Sequence, residues 1–260
     1  MLEAPVAGQA DPRPEECLSI VVAAYREGES LALLLPKITR AAQALLPKFE
    51  VLVVDTVEPM DDTSAVCAEN QVRLIRRQPT NDYGDAIRTG IASSRGDFVL
   101  IMDADGSHNP EFIRELWQHR YRAEVVIASR YTVGGRTDNP RLLVGMSRLL
   151  NQLFRLVARF PVLDVSNSFR LYRGEPLRKL QLTFRHFDVL EEILAKLLWR
   201  QPDPAQILEI PYRFERRLAG ESKRNLLVFG LHFLAAGFRL YSIRRRLKEG
   251  DRREPAPPNA

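Results

Sequence analysis

The stretch Phe98-Val99-Leu100-Ile101-Met102-Asp103-Ala104-Asp105 runs from five apolar residues straight into two carboxylates one residue apart. An unbroken apolar run of this length, ending abruptly in polar side chains, predicts a strand buried on both faces that delivers its last residues to a sheet edge. The same pattern recurs on either side. Leu18 to Ala24 ends in Tyr25, Arg26 and Glu27, and Phe49 to Asp55 ends in an acid; Val72 to Arg76 and Glu124 to Ser129 are two further strands. Helical periodicity fills the gaps over about Ser30 to Leu46, Thr63 to Asn70, Asp82 to Ser94 and Pro110 to Tyr121. Continuously apolar strands alternating with helices argue for an α/β fold with a parallel sheet covered on both faces. Ligands of such sheets bind beyond the carboxyl ends of the strands. That rule singles out Tyr25, Glu27, Asp55, Asp103 and Asp105.

The second half is less regular. It reads as a helix from about Arg141 to Arg159, an extended piece Phe169 to Tyr172, a helix Val189 to Arg200, one strand Ile207 to Phe214, a basic turn and a long final helix. Glu191 and Glu192 are expected on a solvated helix face.

Basic side chains outnumber acidic ones 38 to 33 in the 260 residues, and the net charge of +5 is unevenly placed. Arg and Lys cluster around Arg213 to Lys223 and again over Arg244 to Lys248. A late basic block suits phosphate or an acidic membrane face; nucleic acid is disfavoured, because the block carries no docking motif. Cys17 and Cys67 are the only cysteines, which excludes a disulfide framework or a thiolate zinc site and fits a reducing cytoplasm. Residues 1–16 lack the basic start and apolar core of a secretory signal and read as a disordered lead-in, and the Pro-rich residues 250–260 as a disordered tail. The apolar stretch Leu226 to Ile243 is interrupted by His232 and Arg239 and falls short of the roughly 20 residues a spanning helix needs. Residues 226–249 read instead as an amphipathic helix, either lying in a membrane interface or packed on the domain or a partner subunit.

Two carboxylates at a sheet edge suit a hard divalent ion, Mg²⁺ or Mn²⁺, which binds diphosphates alongside oxygen ligands. An Asp-x-Asp triplet is common by chance, and its structural alternative is a helix cap leading into Pro110. Its position after a buried strand strengthens the metal reading. Asp55 is placed to accept hydrogen bonds from a nucleoside, or else to cap the turn before Asp61-Asp62-Thr63.

Several ordered motifs carry a resemblance. Ala23-Ala24-Tyr25-Arg26-Glu27, Val53-Val54-Asp55 and Met102-Asp103-Ala104-Asp105-Gly106-Ser107-His108 resemble family 2 glycosyltransferases of the GT-A fold. Ser129-Arg130-Tyr131, Asp164 to Tyr172 and Gly220-Glu221-Ser222-Lys223 look like the dolichyl-phosphate mannose synthase branch. The match covers roughly residues 17–225, taken as the GT-A domain.

The resemblance implies an inverting transferase that moves a sugar, mannose or glucose, from a GDP- or UDP-sugar to a polyprenyl or dolichyl monophosphate at the cytoplasmic face of a membrane. Carried over, Tyr25, Glu27, Asp55 and Asp103 hold the donor, and Asp103 and Asp105 the metal. Arg130, Ser147, Arg217, Ser222 and Lys223 receive phosphate, with Asp105, Arg130 and Lys223 closest to the chemistry. Self-association or a membrane partner subunit stays open. A lipid phosphate is already an anion, so the acceptor needs orienting cations rather than a general base. Arg130, Arg217 and Lys223 meet that need, although Arg130 is equally able to pair with a neighbouring carboxylate. The alternatives are a saccharide or other non-lipid acceptor, and a weakened relative that binds nucleotide sugar without turnover.

Overall fold

The computed structural model describes residues 16–158, 161–200, 206–215 and 239–241. Its frame is a seven-stranded sheet built from β1 (Leu18–Ala23), β2 (Phe49–Asp55), β3 (Arg73–Arg76), β4 (Phe98–Asp103), β5 (Val125–Ser129), β7 (Arg170–Arg173) and β8 (Ile207–Pro211). A separate pair joins β6 (Arg136–Thr137) to β9 (Arg213–Phe214). The strand order in the large sheet is β3-β2-β1-β4-β7-β5-β8. All neighbours run parallel except β7, which lies antiparallel between β4 and β5.

The period of two in a strand decides which layer each side chain joins. Val21, Leu52, Val54, Val99 and Ile101 point to one face, where they pack with Ala86, Ile87 and Ile91 of α3 (Tyr83–Ser93) and with Leu190, Ile193 and Leu194 of α7 (Val189–Arg200). Ile20, Val22, Val51, Val53, Leu100 and Met102 point to the other, under α1 (Gly28–Gln43), α2 (Thr63–Glu69) and α4 (Ile113–Gln118). Burial on both faces is why these strands read as continuous apolar runs. The remaining helices are α5 (Arg141–Ala158) and the short α6 (Gly174–Arg178). Among the described residues no helix is long and apolar enough to cross a membrane.

Four expectations are corrected. The helix expected over Pro110 to Tyr121 begins as a 3₁₀ turn, Pro110–Phe112, before α4, with the Asn109 side chain accepting from the Glu111 amide at 3.0 Å. The single strand expected over Ile207 to Phe214 is two strands in different sheets. Tyr212 sits at the break: its amide donates to the Ser129 carbonyl at 2.9 Å, and its carbonyl accepts from the Arg136 amide at 2.9 Å. The extended piece near Phe169 is a strand shifted by one residue and inserted antiparallel, a direction that a four-residue pattern does not encode.

Glu191 and Glu192 are buried rather than solvated. The Glu192 carboxylate accepts from the Thr183 and Phe184 amides, and pairs with Lys196 at 3.1 Å, so it anchors the loop before α7 instead of facing water. The stretches expected as lead-in and tail lie outside the described residues except Glu16, whose carboxylate pairs with Arg120 at 3.1 Å. Of the final helix, only residues 239–241 are described.

Candidate active site

The carboxyl ends of β1 and β4 open into a cleft of about 280 Å³. Its walls include Tyr25 and Glu27 after β1, and Asp103 and Asp105 after β4. Its other wall comes from Asn81, Asp82 and Tyr83 at the start of α3 and from His186 and Phe187 before α7. The chain reaches this geometry through two left-handed turns. Arg26 has φ 56°, a costly conformation for a residue with a Cβ, and it lies in the bend between β1 and α1. Gly106 has φ 77°, where glycine is unpenalised, and it closes the turn after Asp105.

Each aspartate of the pair has one oxygen held by a named donor. Asp105 Oδ1 accepts from the Ser107 amide at 3.0 Å and from Ser107 Oγ at 2.5 Å. Asp103 Oδ1 accepts from the Tyr83 hydroxyl at 3.0 Å. The Asp103 amide donates to His108 Nδ1 at 3.0 Å, so that nitrogen is the acceptor and Nε2 carries the proton toward Asn167 Oδ1 at 3.2 Å. Burial holds the His108 pKa below the ordinary imidazole value, consistent with this neutral tautomer. The ring also stacks on Phe169, with centroids 4.7 Å apart.

Beneath the cleft, the buried Arg77 side chain donates to the carbonyls of Ala24, Val54, Asp55 and Asn81. One guanidinium thus ties together the ends of β1 and β2 and the entry to α3. Asp55 is 1% exposed and is not among the cleft's lining residues; its carboxylate pairs with Arg76 at 2.5 Å, and Arg76 in turn reaches Ser64.

A second, basic cleft of about 640 Å³ lies between α5 and the β6-β9 pair, with Arg130, Arg136, Arg148 and Arg213 in its walls. Arg130 grips Asp164 through two parallel bonds of 2.8 and 2.7 Å and donates to Ser166 Oγ at 2.9 Å. Burial opposes its charge, but Asp164 outweighs that and raises the guanidinium pKa above its ordinary value. Arg213 pairs with Asp138 at 3.2 Å, and Arg148 lies over the Tyr131 ring at 5.5 Å. Ser147, on α5, is half-buried and its carbonyl accepts from the Asn151 side chain at 2.8 Å. Arg217, Ser222 and Lys223 lie outside the described residues.

Residues 212–214 connect the turn after Asp105 with the wall of the second cleft. The Tyr212 hydroxyl donates to the Ser107 carbonyl at 3.1 Å, and Phe214 meets His108 edge-on at 5.6 Å while lying 5.4 Å from the Arg130 guanidinium carbon. Four of the expected residues, Tyr25, Glu27, Asp103 and Asp105, therefore share one cleft, and Arg130 lines the other. Tyr83, Arg77, His186 and Phe187 were not identified from sequence. Of these, only the run Asn81-Asp82-Tyr83-Gly84, at a helix start, gave a local signal.

Among the described residues no group of three or more His, Cys, Asp or Glu side chains is arranged to hold a metal ion. Asp103 and Asp105 are nevertheless a donor set that fits Mg²⁺ or Mn²⁺ of the kind that keeps waters and completes its shell with substrate phosphate.

The sheet order and the paired acids at its edge define a GT-A glycosyltransferase fold. The glucosyl-3-phosphoglycerate synthase of Mycobacterium tuberculosis, crystallised with Mn²⁺, UDP and glucosyl-3-phosphoglycerate, superposes with a TM-score of 0.67 at 18% identity, covering 88% of this chain and 81% of that one. The model of Glycosyl transferase family 2 matches residues 19–181, and the chain belongs to that family. Its relatives include the polyprenol monophosphomannose synthase of Mycolicibacterium smegmatis, 30% identical over 257 residues that cover 92% of this chain and 91% of that protein. The undecaprenyl-phosphate mannosyltransferase of Micrococcus luteus is 31% identical over 217 residues, 78% of this chain and 85% of the other. With the dolichol-phosphate mannosyltransferase of Pyrococcus furiosus, identity is 29% over 213 residues; the match takes in 79% of this chain and 58% of that protein's length.

Proposed function

We propose that this protein transfers a sugar, with mannose favoured, from a nucleotide diphosphate donor to a polyprenyl monophosphate, with inversion at the anomeric carbon and at the cytoplasmic face of a membrane. The observation that carries the reading is the pair Asp103 and Asp105, each with one oxygen fixed by a hydrogen-bond donor, in a cleft shared with Tyr25 and Glu27. That the three relatives are a dolichol-phosphate mannosyltransferase, a polyprenol monophosphomannose synthase and an undecaprenyl-phosphate mannosyltransferase supports the sugar and the lipid acceptor.

In this reading Tyr25 and Glu27 bind the nucleoside side of the donor, and Asp103 and Asp105 hold Mg²⁺ or Mn²⁺. A bound divalent ion supplies positive charge against the charge that develops on the departing diphosphate. The acceptor phosphate is received in the arginine cleft, where Arg136, Arg148 and Arg213 are the cations nearest to solvent. Arg130, committed to Asp164, shapes that cleft and adds to its field; Ser147, Arg217, Ser222 and Lys223 remain acceptor-side residues on the sequence resemblance. Asp55 fits a supporting role behind the donor cleft, through Arg76 and the Arg77 contact to its carbonyl.

A phosphate oxygen of the acceptor attacks the anomeric carbon, the bond from that carbon to the donor phosphate breaks, and the nucleoside diphosphate leaves with the electron pair. No proton need be removed from the nucleophile, so no carboxylate base is required. Radiolabelled GDP- and UDP-sugars incubated with the full chain, Mg²⁺ or Mn²⁺ and a short polyprenyl phosphate test the reading. Metal-dependent label in an organic-extractable product is expected, reduced about 100-fold or more in Asp105→Ala. Label appearing only in water-soluble acceptors would overturn the lipid assignment.

A further inference from the structure

We infer that Tyr83 is a positioning residue for the divalent cation, fixing the Asp103 carboxylate before the ion arrives; this rests on the reading of Asp103 and Asp105 as metal ligands. The hydroxyl of Tyr83 donates to Asp103 Oδ1 at 3.0 Å, inside the cleft that both residues line. A carboxylate oxygen that accepts one hydrogen bond keeps further lone-pair capacity, so the phenol orients Asp103 without blocking it as a ligand. Donors that hold ligating carboxylates in place typically contribute 10- to 100-fold in metal affinity.

What makes Tyr83 suited to this task is how firmly its ring is held. It stacks on Phe187 with centroids 4.2 Å apart and planes 24° from parallel. Phe187 belongs to the loop that Glu192 anchors through the Thr183 and Phe184 amides. That loop is fastened again to the start of α3: the Gly84 amide donates to the Arg185 carbonyl at 2.7 Å, and Arg185 pairs with Asp82 at 2.8 Å. Gly84 has no side chain to keep the loop away; a Cβ there would lie 2.2 Å from the Phe184 oxygen. The hydroxyl therefore reaches Asp103 from a frame braced on both sides.

Mn²⁺ titrated into the full-length chain, with free ion read by electron paramagnetic resonance, tests the assignment alongside the thermal midpoint of each variant. Tyr83→Phe keeps the ring and its stack while removing only the hydroxyl. It is expected to weaken Mn²⁺ binding about tenfold with an unchanged thermal midpoint. Phe187→Leu, which keeps the hydroxyl but loosens the ring, is expected to weaken binding by a smaller factor. Unchanged Mn²⁺ affinity in Tyr83→Phe, with binding abolished in Asp103→Asn, would overturn the role of Tyr83 alone. Equal Mn²⁺ binding by the wild-type chain and Asp103→Asn would overturn the metal-ligand reading and this inference with it.

Discussion

At Glu191, α7 places a carboxyl that is 1% exposed, with no hydrogen-bond partner for Oε2 among the described residues. Burial pushes its pKa up to about 8, despite the opposing charge of Arg170. The folded state therefore binds a proton that the unfolded chain releases near 4.5, and the stability linked to that proton is complete at acid pH and lost as pH rises toward about 8. Glu191→Gln is expected to flatten the dependence. Urea unfolding at pH 5.5 and 8.5 should show the wild-type chain losing up to ~1.4 kcal/mol per pH unit within that window and the variant losing markedly less. Periodicity failed at this residue because two adjacent acids in a helix ordinarily face water, whereas here a loop and a buried guanidinium claim them. His108 is different. It was visible beside the aspartates as part of a motif, but its work of holding the Asp103 amide depends on Asn167, 59 positions away, and no local pattern reports that distance.

Among the elements, the strands that feed the cleft were the most legible. The run Phe49 to Asp55 coincides with β2, and the run from Phe98 reaches Asp103 in β4, because strands buried on both faces leave an unbroken apolar signature. Elements defined by partners rather than by composition were not legible: β6 has two residues, α6 five, and the direction of β7 is set by the strands it enters. The cleft was half readable for the same reason, since the β1 and β4 residues follow apolar runs and the Tyr83–Phe187 wall joins segments about a hundred residues apart. That wall yields a prediction at the level of the element. Gly84→Ala sets a Cβ against backbone oxygens of Phe184 and Arg185, neither of which is a flexible side-chain end. A loss of about 1–3 kcal/mol in urea unfolding is expected, with faster proteolysis in the loop that precedes α7.

Over the whole molecule, the net charge of +5 and the arginines of the second cleft favour an acidic lipid surface. If the proposed acceptor is reached at a membrane, the full chain should float with phosphatidylglycerol vesicles at about 0.1 M salt and be largely released near 1 M, where the screening length falls to about 3 Å. Retention at high salt would assign the attachment to apolar insertion instead. The placing of β7 bears on how the molecule is made. During synthesis β4 and β5 leave the ribosome as consecutive strands, yet they do not pair with each other, because the place between them belongs to a segment that starts at Arg170. Until that segment emerges, the nascent chain carries an open β4 edge, which invites the wrong strand or a neighbouring chain. Insertion of β7 is thus the step that joins the half carrying the paired aspartates to the half carrying the arginine cleft. Translation stalled before Arg170 should leave an aggregation-prone product in which the aspartates exist but the arginine cleft does not.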